Sequence, residues 1–165
     1  MRRHALIPAL TLSLASGTAS AQVDWTDPDT LTRIIEATCL TSALIETRED
    51  RRGFMVTQFG FEEVPNFEEE NLPELLNEVG IGAGWEPAIS PSLFCVVTIP
   101  PELYDDSTVA TIAEFLNEGS DAPVPEAADG FTGPIMRGIL DGRTMGMILI
   151  NDPSDGLAVL GAFEE

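Results

Sequence analysis

Between residues 27 and 46 the apolar positions Leu31, Ile34, Ile35, Cys39 and Ile45, with the small Thr38 and Ser42 among them, recur every three or four residues. That is the period of a helix burying one face. Asp27 with Pro28, or Thr30, opens it, and the charged run TREDRRG (47–53) closes it. The spacing places Cys39 on the inward face. After Gly53, GFMVTQFGFEEV is apolar without a clear period and predicts a strand or an extended cover. Asn71, three residues before Glu74, with Pro73 in a first turn and Gly80 at the end, predicts a short amphipathic helix presenting Leu72, Leu75, Leu76 and Val79. The run GIGAGWEPAISP predicts a Gly/Pro loop, with Trp85 plugging an edge of the core.

Leu93 to Ile99 (LFCVVTI) is β-branched and aromatic and bounded by prolines, which predicts a strand. A second helix is expected from Ser107, with Val109, Ile112, Ala113 and Leu116 on one face and Gly119 as its cap. Residues 119–134 hold three Gly and three Pro and predict a mobile loop or a functional flap. The runs IMRGIL and RTMGMILI flank Asp141-Gly142, a two-residue hairpin signal. LAVLGAF follows the turn-rich NDPSDG. The fold class expected is α+β. One domain over residues 22–165 carries a mostly antiparallel sheet, Leu93–Ile99 plus a C-terminal meander, covered by two or three helices. Strand order and oligomeric state are not written in the pattern.

The first residues change the cellular picture. Arg2 and Arg3 precede a short apolar stretch, Ala5 to Ala15, and Ala19-Ser20-Ala21 offers the small residues of a signal-peptidase site. Residues 1–21 are expected to be a cleaved Sec-type signal peptide, cut between Ala21 and Gln22. The stretch is too short to span a bilayer, so no membrane span is expected after cleavage and the chain is addressed to the periplasm or beyond.

Charge narrows the partners. The chain holds 28 acidic residues against eight basic ones, for a net charge of −20. All eight basic residues are arginines, and two of them and the single histidine, His4, precede residue 22. Such a field repels nucleic acid and anionic membranes, because binding to either neutralises phosphate with cations. The partner class expected is a basic protein or a cationic ligand.

Two cysteines in an exported chain, Cys39 and Cys95, each in an apolar element, are expected to pair as a structural disulfide. A redox role would need a CxxC pair or a thiol beside a basic group, and two Cys without His are too few for a metal.

Candidate chemistry is sparse. With Asp141 and Gly142 as the turn, Met136 faces Met147 and Met145 faces Gly138, so three thioethers could meet Cu(I). Core filling explains them as well. Asp152, Asp155 and Asn151, or Asp24, Asp27 and Asp29, could offer Ca²⁺ oxygen ligands, although turn chemistry accounts for both groups. A serine or cysteine triad is impossible without histidine after residue 21, and no phosphate-binding glycine motif is present, so no cofactor is expected. Tyr104 and the cluster Arg48, Arg51, Arg52 read as surface and helix-end features. The function expected is that of a non-enzymatic binding or interaction domain. Periplasmic metal handling and a carboxylate-dependent hydrolase stand as alternatives.

Overall fold

Asp27 opens the first helix, α1 (Pro28–Ile35), by accepting the Asp29 N–H, with Pro28 pre-set for the first turn. In the computed structural model, which describes residues 23–65, 73–85, 93–119, 135–140, 142–152 and 154–163, the chain then widens into a π-helical turn (Glu36–Thr41). It tightens again into a 3₁₀ turn, Ser42–Leu44. The single predicted helix is thus three segments, one of which presents Cys39.

The predicted end of that helix, TREDRRG, instead begins another. Thr47 caps α2 (Arg48–Phe59) through the Asp50 N–H, and Gly60 ends it in the left-handed conformation at φ +66°. Gly53 sits mid-helix over open space and does not stop it. This corrects the expected strand after Gly53. Arg51 and Met55, one turn apart, are the buried positions of α2, and Phe54 and Phe59 pack beside them.

The expected helix over residues 71–80 is likewise overturned. Residues 66–72 lie outside the described ones, and from Glu74 onward the backbone is in the sheet: Val64 N–H donates to Glu74 O, and Glu74 N–H to Ala83 O. Two short strands, β1 (Glu62–Glu63) and β2 (Leu75–Leu76), pair with each other, and β2 turns into β3 (Gly82–Trp85). Asn77 makes this turn by accepting the Val79 and Ile81 N–H groups, and Gly80 takes φ +87°. β3 also corrects the predicted loop. Its residues are glycine-rich because a Cβ at Gly82 would collide with Pro73 and Thr98.

The rest follows expectation. β4 (Leu93–Ile99), α3 (Asp106–Glu118), β5 (Ile135–Leu140), β6 (Arg143–Asp152) and β7 (Gly156–Phe163) occupy the predicted stretches. The hairpin register is the predicted one, with Met136 opposite Met147 and Gly138 opposite Met145. The expected loop over 119–134 falls, after Gly119, outside the described residues. The seven strands form one antiparallel sheet in the order β1-β2-β3-β4-β7-β6-β5. The α+β class and single disulfide stand.

Helices cover one face of this sheet. Leu31, Ile34 and Ile35 from α1, Met55 from α2, and Ile112 and Leu116 from α3 join Cys95, Val97, Ile99, Met145, Met147, Leu149, Leu157 and Val159 in one buried cluster. The period of two along β6 is plain: Met145, Met147 and Leu149 are buried, while Gly146, Ile148 and Ile150 are half-buried on the other face.

The disulfide joins the two layers. Cys39 in the π-helical turn bonds to Cys95 in β4, with Cα atoms 5.4 Å apart and a sequence separation of 56. Gly161 lies opposite Cys95 in β7, and a Cβ there would come within 2.5 Å of the Cys95 sulfur. The strand pair closes over the bridge because that position has no side chain. On the other side Cys95 pairs with Trp85, whose indole N–H donates to Thr38 O and Ser42 Oγ, both at 2.8 Å. Trp85 is fully buried, deeper than a plug at the core edge.

Candidate functional site

A cleft lies where the start of α1, the end of α2 and the β2–β3 turn converge. It measures 670 Å³, within the range of small-molecule sites. Val23 and Trp25 enter from the segment before α1, and Thr30 and Arg33 from α1 itself. Gln58, Phe59 and Gly60 form the last turn and cap of α2, and β1 contributes Glu62. Glu78 comes from the turn that Asn77 builds.

Each wall has a local cause. The left-handed Gly60 reverses the chain so that Phe61 is buried and Glu62, the next residue, faces solvent at the cleft rim. Trp25 is half-buried, and its indole N–H donates to Glu78 Oε1 at 3.0 Å, which fixes the ring across the mouth. Phe59 is held from behind by Phe54, edge to face at 6.3 Å between centroids.

Electrostatically the cleft favours a cation. Glu62 and Glu78 are exposed carboxylates, and the last carbonyls of α2 carry the negative end of that helix's dipole. Aromatic faces beside carboxylates are the surroundings an ammonium group prefers, since the ring quadrupole attracts cations. One positive group, Arg33, shares the cleft.

The residues singled out from sequence lie elsewhere. Met145 and Met147 are buried in the core among Leu149 and Val159, and the Met136 side chain is outside the described ones. The candidate calcium oxygens are spread over a turn, a helix start and a strand: Asp27 caps α1, Asp29 lies within it, and Asn151 lies in β6. Asp24 accepts from the Thr26 hydroxyl and N–H, bonds that hold its carboxyl below the usual range. Asp152 accepts in the same way from Ser154, with the same effect on its carboxyl. Asn151 accepts the Tyr104 hydroxyl at 3.0 Å. Among the described residues no three His, Cys, Asp or Glu side chains gather as metal ligands, and no helix is long and apolar enough to cross a membrane.

Tyr104 and the arginines are corrections to a surface reading. Tyr104 is half-buried, and its phenol is pushed up by desolvation and by Asp152. It borders a smaller polar cavity of 250 Å³ with Thr26, Asp105 and Thr108. Arg51 is 6 % exposed, donates from Nε to Ser42 O and Ile45 O, and stacks 4.9 Å from the Phe94 ring centre. Arg48 binds both oxygens of Glu74, a carboxylate 1 % exposed, and Arg52 bridges Glu74 to Glu63. These pairs tie α2 to β1 and β2 in place of a helix end in water.

Sequence reasoning missed the cleft itself. Trp25 in DWTDPD was its one local signal, an aromatic stranded among acids just before a helix start. No family model, curated protein or solved structure matches the chain.

Proposed function

We propose that this protein is an exported, non-enzymatic binding domain that takes an ammonium-bearing group into the Trp25–Phe59 cleft. The observation that carries the reading is the pairing of an aromatic wall with carboxylates, Trp25 held by Glu78 and Phe59 beside Glu62, at the carbonyl end of α2. The overall charge of −20 concentrates cations around the molecule and speeds their arrival. A buried disulfide supports export, since such bonds persist in oxidising compartments.

The carboxylates' surroundings support binding over hydrolysis. A general acid and base are set apart by unequal burial, whereas Glu62 and Glu78 are both exposed to water. The test is calorimetric titration with phenethylamine at low and high salt. Saturable binding is expected, weaker at high salt and at least about tenfold weaker in Trp25→Ala, in line with a lost aromatic–cation contact and its apolar area. Absence of binding, or equal binding by Trp25→Ala, would overturn the proposal.

A further inference from the structure

Arg33 is anomalous in this chain. Among the arginines whose side chains the structure describes, those other than Arg33 are engaged: Arg48 and Arg52 on Glu74, Arg51 on backbone carbonyls and Phe94, and Arg143 over the Phe163 ring at 3.8 Å. The Arg33 guanidinium makes no ion pair, hydrogen bond or ring contact with any described residue, although acids outnumber basic residues 28 to eight. It is exposed, and it lines the same cleft as Glu62 and Glu78.

From this we infer that the ligand is a compact zwitterion with an apolar body, of the class of a free aromatic or aliphatic α-amino acid. The inference rests on the ammonium-binding reading of the cleft and adds a second handle to it. A cleft for a simple cation has no use for a guanidinium, which would repel the ammonium it shares the space with. A ligand carrying both signs uses both. Its ammonium meets Glu62 or Glu78 near the α2 carbonyls, its carboxylate meets the fork of Arg33, and its side chain lies against Trp25, Phe59 and Val23. Two opposite charges on one carbon also leave the net charge at zero, so the acidic surface neither attracts nor repels the whole molecule at distance. Selection then comes from the cleft and not from the field.

The test uses calorimetry on the whole protein with four probes: L-phenylalanine, phenethylamine, hydrocinnamate, and a phenylalanine-led tetrapeptide whose two charges are far apart. Phenylalanine is expected to bind about tenfold more tightly than phenethylamine, the usual effect of one charge-assisted hydrogen-bonding pair. The tetrapeptide should match phenethylamine. Arg33→Gln should remove the preference for phenylalanine, and should strengthen phenethylamine binding because the repelling charge is gone. Equal affinity of phenylalanine and phenethylamine, or a preference for phenylalanine that survives Arg33→Gln, overturns the zwitterion inference and leaves the ammonium reading standing. If the tetrapeptide binds as tightly as phenylalanine, the compact class is wrong. Binding led by hydrocinnamate, or by none of the probes, overturns both.

Discussion

The chain has two tryptophans, and the folded protein gives them opposite employment. Trp85 is fully buried, and its N–H serves two acceptors inside the protein, Thr38 O and Ser42 Oγ, beside the disulfide. Trp25 is half-buried, and its N–H serves one exposed carboxylate, Glu78, beside a cleft. In a dry site an unmet polar atom is costly, and the Trp85 N–H, Thr38 O and Ser42 Oγ satisfy one another there. Around Trp25 water is always a competing partner. Its contacts are individually weak, and a ligand can replace water there without breaking the fold. On the binding reading proposed above, stability and binding fall to different tryptophans.

If that division holds, the largest losses come from the dry side. Removing the bridge with Cys39→Ala/Cys95→Ala frees a loop of 56 residues in the unfolded chain. The chain-entropy model puts the cost at about 4 kcal/mol. Urea unfolding should show the loss, and reduction of the native protein under denaturing conditions should give the same value. A double variant as stable as the native protein would refute the central place given to the bridge.

Next in size is Trp85→Phe, which keeps an aromatic ring but takes the donor from Thr38 O and Ser42 Oγ in a buried site. A loss of about 2–3 kcal/mol is expected by denaturant titration. The same change at Trp25 should cost less than about 0.5 kcal/mol, because water replaces the lost partner of Glu78. Equal costs at the two positions would erase the distinction drawn between them.

Gly161→Ala sharpens it further. The new Cβ would press on the Cys95 sulfur across two hydrogen-bonded strands. Overpacking of this kind costs about 1–3 kcal/mol. In the Cys39→Ala/Cys95→Ala background that sulfur is gone, and most of the cost should go with it. A double-mutant cycle showing full additivity would mean that Gly161 is required for some other reason.

What the sequence displayed and what it hid divide along similar lines. The β5–β6 hairpin was legible to the residue because Asp141-Gly142 fixes register locally, and Gly142 does take φ +74°. β4 was legible from its β-branched residues, and the disulfide from there being only two cysteines, each in an apolar element. The stretch α2 was hidden by Gly53 and by the β-favouring Phe54-Met55-Val56, whereas its true signals were the Thr47 cap and the Gly60 stop. The β2–β3 pair was hidden because glycines carry no hydrophobic period, and because four leucine and valine positions imitate a helical turn. Asn77 and Gly80, which make the reversal, sat inside that imitation. Apart from Trp25, the cleft left no local signal in the sequence. Its walls come from residues 23–33, 58–62 and 78, and their meeting depends on just the two elements that were misread.

The smallest effect expected is electrostatic and lies on the wet side. Asp105 caps α3 by accepting the Ser107 hydroxyl at 2.7 Å and the Thr108 N–H at 2.9 Å. These bonds, the Ser107 hydroxyl foremost, lower its carboxyl from 3.8 to about 2. A depressed folded-state value means that the ionised carboxylate favours the folded protein. Its contribution is complete above 3.8 and is lost as the pH falls through about 2. Asp105→Asn keeps a capping oxygen and removes only the charge. Its melting temperature should therefore fall slightly below that of the native protein near neutrality, with the gap closing between 3.8 and about 2. The Trp85→Phe gap should stay constant over that interval, since neither Trp85 nor its two acceptors titrates there. Thermal melts of both variants across the acid range decide it: a pH-independent gap for Asp105→Asn would show that the cap works by geometry alone and that its charge is fully screened by water.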